Sequence, residues 1–257
     1  MKAILAIAGC TWSRILKMKV VYFLILCAIT EIGITIAYET LMLKLERQLT
    51  VDLSLVMVML SALLVVLSLA FDIPKEIRDG SAATLLTKPI SRVQYLAGKF
   101  LGIVVVGLVI STIISAGFCA VHHYAYDMDL PVSAVQGHIL AILAVIPMAG
   151  VALLFAAIFS EAIAAILTTA SIWFAHSTYL LVNTDLIAKK PIIASFSWMY
   201  AGLVPDLNLF NLRGEAAHNL IETWNYMYLA QSLLWGVLYS ISMICLAGVF
   251  FNRRDLK

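Results

Sequence analysis

The sequence predicts an all-α integral membrane protein with six transmembrane helices, and three observations carry that prediction. Of its 257 residues, 63% are hydrophobic, only 12% are charged, and the mean hydropathy is +0.99. A soluble domain carries about 25% charged residues, so this composition cannot give a wetted globule. The apolar residues fall in runs near the roughly 20 residues that a helix needs to cross a bilayer. The charged residues lie between those runs, with eight of them gathered between residues 71 and 99.

Residues 2–17 mix apolar and basic positions and hold Trp12 and Arg14, the pattern of an amphipathic helix lying on the inner membrane surface. Arg14, Lys17 and Lys19 precede the first long apolar run. No small-residue cleavage pattern closes that run, so it reads as a span and not as a signal peptide. Span 1 covers 19–39 and contains one acid, Glu31. A polar link with Glu39, Lys44, Glu46, Arg47 and Asp52 leads to span 2 at 54–71. Span 3 covers 100–121, and the residues from 122 to 137, which lack Lys and Arg, form the next link. Span 4 covers 138–159 and contains Pro147, which should kink it. Ser160-Glu161 turns the chain into span 5 at 162–182. The mixed segment 183–223 has apolar pieces too short to cross, so they read as interfacial or re-entrant helices. Span 6 covers 224–251.

Six spans put both termini on one side, and the basic residues say which. The N-terminal segment, the 72–99 loop and the C-terminal tail hold 12 of the 17 Lys and Arg; the other side holds five. The positive-inside rule therefore predicts a multi-pass cell-membrane protein with cytosolic termini and a cytosolic 72–99 loop. A net charge of +2 gives no reason to expect nucleic acid.

The loop reads as structured. Pro74 suits a first helical turn and Gly80 the position just past a helix end, so Ile73–Asp79 reads as a short helix. Ile73 and Ile77 would then face the membrane, with Lys75, Glu76, Arg78 and Asp79 toward water. A second short helix follows through Ser81–Lys88 until Pro89 breaks it. Ser91 and Gln94 have capping-box spacing, so the third span's helix should begin at about Ser91, below the membrane.

Glu76 with Arg78-Asp79-Gly80-Ser81, then Thr84-Leu85-Leu86, Lys88-Pro89-Ile90-Ser91-Arg92 and Tyr95-Leu96-Ala97-Gly98-Lys99 resemble a known pattern. It is that of the permeases, or membrane subunits, of type-2 ABC transporters, with Ser81 standing where threonine is commoner. Pro205–Leu212 is similar to a segment such permeases carry before the last span, and Phe250–Leu256 to their common ending. The resemblance implies an exporter-type ABC transporter subunit that is not itself an enzyme. In that family the loop is a coupling helix seated in a groove of a cytosolic ATPase subunit. Lys75, Glu76, Arg78, Asp79, Gly80, Lys88 and Arg92 are the residues it assigns to that coupling. ATP and Mg²⁺ would be held by the ATPase subunit and no cofactor by this chain. The chain has no phosphate-cradling G-x-x-x-x-G-K-[ST] pattern; its one Gly-Lys pair, Gly98-Lys99, is followed by Phe100. A second permease subunit, identical or different, would complete the pore.

Glu31 is a candidate for the translocation path or the subunit seam, since acids inside spans are rare and usually face a bundle interior. His122, His123, Asp127 and Asp129 read as a polar external turn and not as a metal site, because adjacent histidines point apart. His138 and His176 are expected to make interhelical hydrogen bonds, and Gly98-x-x-x-Gly102 to permit close helix approach. The four cysteines show no paired spacing. An alternative function is that of a membrane anchor or force transmitter acting on an external partner through 183–223, with nothing crossing a pore.

Overall fold

The computed structural model describes residues 2–15, 46–86, 90–126, 130–175, 202–213 and 223–253, with isolated positions between 19 and 33 and at 195 and 200. Among the described residues there is helix and no strand. The α-helices are α1 (Lys2–Ile15), α2 (Glu46–Ala70), α3 (Asp72–Arg78), α4 (Ser81–Leu86) and α5 (Arg92–Tyr126). They continue with α6 (Val132–Leu143), α7 (Val145–Ile158), α8 (Glu161–Phe174) and α9 (Tyr226–Asn252), and a 3₁₀ turn at Leu207–Phe210 precedes the last.

Among the described residues, four stretches are long and apolar enough to cross a membrane: Thr50–Arg78, Arg92–Tyr124, Val132–Ile158 and Tyr226–Asn252. Helix α8 is apolar but has only 14 residues, and the rest of the expected fifth span lies outside the described residues. So does most of the expected first span, with Glu31.

Helix α7 is the centre. Every residue from Val145 to Ala157 is buried, and α2, α5, α6, α8 and α9 pack around it. Small residues let them approach. A Cβ added at Gly150 would stand 3.0 Å from the Cα of Ser240, whose Oγ donates to Ile146 O (3.0 Å) and Gly236 O (2.7 Å). Pro147 acts as expected: the helix breaks at Ala144, beside Leu143, whose carbonyl an N–H at position 147 would otherwise have bonded.

The helices are longer than their apolar cores predict. The link expected at 122–137 shrinks to residues 127–131, because α5 runs on to Tyr126 and α6 begins at Val132. Some of the polar residues that suggested a link face inward instead, while His123 and Tyr124 are exposed. His122 is fully buried beside Phe118, and Ser133 and Gln136 are buried as well. Gln136 Nε2 donates to Thr223 O (3.3 Å). Likewise α2 begins at Glu46, within the expected first link. Ser54 Oγ meets His138 Nε2 at 3.1 Å, the expected interhelical bond.

Helix α1 lies against the first turns of α5. A Cβ at Gly98 would stand 2.8 Å from Ile7 Cβ, and one at Gly102 2.7 Å from Thr11 Cβ. The glycine pair thus seats the N-terminal helix and not another span. Ile7, Thr11 and Ile15 are buried there, while Leu5 and Trp12 stay exposed.

Candidate functional site

The loop where the first long stretch gives way to the second is built largely as its sequence suggests. Pro74 lies in the first turn of α3, and Gly80 follows its end with φ +71°, a conformation a side chain would strain. Helix α4 follows, and Ser91 and Gln94 close a capping box: Ser91 N donates to Gln94 Oε1 (3.0 Å) and Gln94 N to Ser91 Oγ (3.2 Å). Lys88 lies outside the described residues.

One expectation fails. Glu76 does not face water; it is 6% exposed, and Ile73 is fully buried. Asp72 and Glu76, one turn apart on α3, meet cations from elsewhere in the chain. Arg14 Nη1 lies 2.8 Å from both Asp72 Oδ2 and Glu76 Oε1. Lys99 Nζ reaches Glu76 Oε1 at 2.6 Å, and Tyr95 O–H donates to Glu76 Oε2 at 2.6 Å. Two acids against two bases make a neutral cluster that joins α1, α3 and α5. Buried charges need such compensation, since an unpaired one costs several kcal/mol. Arg14 is 62 positions from Glu76, which is why local periodicity sent Glu76 to the wrong face.

Above this cluster the loop presents Lys75, Arg78 and Asp79, all exposed. Arg78 Nη1 reaches Glu161 Oε1 (2.9 Å) at the start of α8, so the turn at 160–161 shares this surface. Exposed pairs of this kind contribute little stability. Their use is to fix the relative position of two loops.

Arg92 has a different role from its neighbours. Its Nη1 donates to Phe251 O (2.8 Å) and Asn252 O (3.1 Å), satisfying carbonyls at the C-terminus of α9. Tyr95 stacks on Phe251 with ring centroids 5.8 Å apart. The arginine of the loop thus holds the end of the last helix.

Residues 72–256 match the family described as ABC-2 family transporter protein. The chain belongs to that family. It is therefore a membrane permease component of an ABC transporter, a family whose permeases are not themselves the ATPase and associate with an ABC ATPase subunit. A comparison with curated proteins finds none that matches. The ABC-2 match begins at Asp72, the first residue of α3, and takes in the whole loop, Glu161, Pro205–Leu212 and most of the C-terminal tail.

The structure gives the last two motifs packing roles. Asp206 Oδ1 accepts from Asn208 N (3.1 Å) and starts the 3₁₀ turn. That turn drops the buried Phe210 against α9, where its Cζ would be 3.1 Å from a Cβ at Gly236, with Pro147 Cδ at 3.4 Å. Tyr228 O–H donates to Leu209 O (2.9 Å), and Tyr239 O–H to Leu203 O (2.6 Å). Gly236 lies roughly 15 Å along α9 from its start, at 1.5 Å per residue, so Phe210 packs well within the length of that helix. Arg213 then bonds Asp52 through Nε and through Nη2 (2.5 Å to Oδ2), closing the segment onto α2. The hydrogen bonds to Asp52 hold the Arg213 guanidinium protonated more firmly than usual.

Proposed function

We propose that this ABC-2 permease is one membrane half of an ATP-driven exporter, with six spans, cytosolic termini and a separate ATPase subunit docked on residues 74–99. The supporting observation is the loop's two-layer build: exposed Lys75, Arg78 and Asp79 over the buried Glu76–Arg14–Lys99 cluster. A partner pushing on the exposed layer would move α1 and α5 together, because the buried layer ties them to α3. Glu76 thus couples by holding the loop to the bundle, not by touching the ATPase. Gly80 and Arg92 shape and anchor the loop, and Lys88 completes its basic edge. ATP and Mg²⁺ belong to the partner, and a second permease subunit completes the pore. Spans 1 and 5 are residues 19–39 and 162–182, and Glu31 lines the translocation path.

The test is co-purification of the solubilised protein with its ATPase, wild type beside Lys75→Glu/Arg78→Glu. An ATPase retained by wild type and lost by the variant is the expected result. Wild type that brings down no ATPase would sink the reading.

The force-transmitter reading has one observation in its favour. The Leu203–Arg213 segment is bonded to α9, and α9 is bonded through Arg92 to the loop, so motion could reach an external partner without an open path. Transport of no solute by a complex that still hydrolyses ATP would favour it.

A further inference from the structure

A cleft of about 390 Å³ opens between α2 and α8 on the side of the bundle where Arg213 meets Asp52. Its wall is aliphatic and aromatic: Leu55, Met59 and Leu63 of α2, Trp173 of α8, and the buried Leu207 behind them. From Leu55 to Leu63 it runs roughly 12 Å along the helix axis. Asn211 and Arg213 line its polar end.

That end carries donors with no bond to another of the described residues. Asn211 Oδ1 accepts from Arg213 N (3.2 Å), which turns the amide's N–H₂ away from its own backbone. Arg213 spends Nε and Nη2 on Asp52, and its Nη1 donors meet no partner among the described residues. A guanidinium edge beside an amide N–H₂ suits two oxygens of one acidic group. The adjacent Asp52 carboxylate disfavours a second negative charge there, which selects a monoanion. The volume lies within the usual range for small-molecule sites, and an apolar trough with one polar end matches an amphiphile.

We infer that this cleft binds a single alkyl chain ending in a carboxylate, with the acid on Arg213 and Asn211 and the chain lying along α2. This deepens the transport reading by giving the carried molecule a chemical class, and it rests on that reading for that step alone. Binding needs no ATPase, so failure to bind and failure to dock an ATPase are separate results.

The experiment uses the full chain in phosphatidylcholine nanodiscs and a 16-carbon fatty acid bearing a photoreactive diazirine. Labelled residues are mapped by mass spectrometry, with palmitate, hexadecanol and hexadecyl phosphate as competitors. Labelling should concentrate on Leu55–Leu63 and on Thr169–Trp173. Palmitate should compete about tenfold better than hexadecanol, the size of a charge-assisted hydrogen bond, and better than the phosphate. Arg213→Ala should erase the advantage over hexadecanol while Arg213→Lys keeps part of it, and Met59→Trp should empty the cleft of label. Equal labelling of the outer face of α9 at Leu234 and Leu238 would mean annular lipid and overturn the site. So would equal competition by palmitate and hexadecanol in wild type, a result that depends on no variant.

Discussion

The two ends of the bundle are fastened by different physics. At the loop end, α3 is held by charge: Arg14 and Lys99 converge on Asp72 and Glu76, all but Arg14 at most 7% exposed. At the other end, the described residues from Leu203 to Arg213 are held by backbone carbonyls, one ring seated against a glycine, and the exposed Arg213–Asp52 ion pair. Buried charge pairing is all-or-none, because losing one partner strands the other. Neutral hydrogen bonds and ring packing give way in smaller steps. The loop end is thus built to move as one piece, and the far end to rearrange by degrees.

The sharpest way to break that contrast is Lys99→Met. It leaves Glu76 short of a cation and should cost about 3–5 kcal/mol in denaturant unfolding. Pairing it with Glu76→Gln should restore much of the loss, and an additive double variant would contradict the charge account. Next comes Phe210→Ala, which empties the space beside Gly236 and Pro147 and should cost about 3 kcal/mol. Gly102→Ala should cost roughly 1–3 kcal/mol by pressing a methyl on Thr11, and cysteine accessibility at Cys10 should change as α1 lifts. Tyr239→Phe removes one interhelical hydrogen bond and should cost only about 0.6 kcal/mol. Last is Arg78→Ala, whose exposed link to Glu161 should hardly register in stability, under about 0.5 kcal/mol. Its effect should appear in ATPase co-purification instead, and a large loss of stability would place Arg78 in the fastening layer.

What could be read in the sequence follows the range of the forces involved. Pro74, Gly80, the Ser91–Gln94 box and the break near Pro147 act over four residues or fewer, and each occurs as expected. Glu76 was misplaced because its bases sit at positions 14 and 99. A clue was present: Asp72 and Glu76 are spaced as Tyr95 and Lys99 are, one turn apart, so two helices could meet along those faces. The ends of α5, α6 and α2 were missed because hydropathy counts His122, Gln136 and Thr50 as solvent-seeking, whereas all three are buried. How far the Leu203–Arg213 segment packs along α9 depends on Gly236 accepting a ring from a distant stretch, which no window of sequence displays.

The seat of α1 on Gly98 and Gly102 has a consequence for the order in which the chain is made. The ribosome releases Ile7 and Thr11 some ninety residues before the glycines they rest on, an interval of several seconds at about 5–20 residues per second. During that interval the helix has no groove to occupy, and Arg14 gains its acids on α3 only in the last third of it. Its lipid-compatible side, with Leu5 and Trp12, can hold it at the bilayer surface until α5 arrives. Helix α1 therefore gains its seat only with α5, while α6 to α9, which complete the bundle, are still to be made.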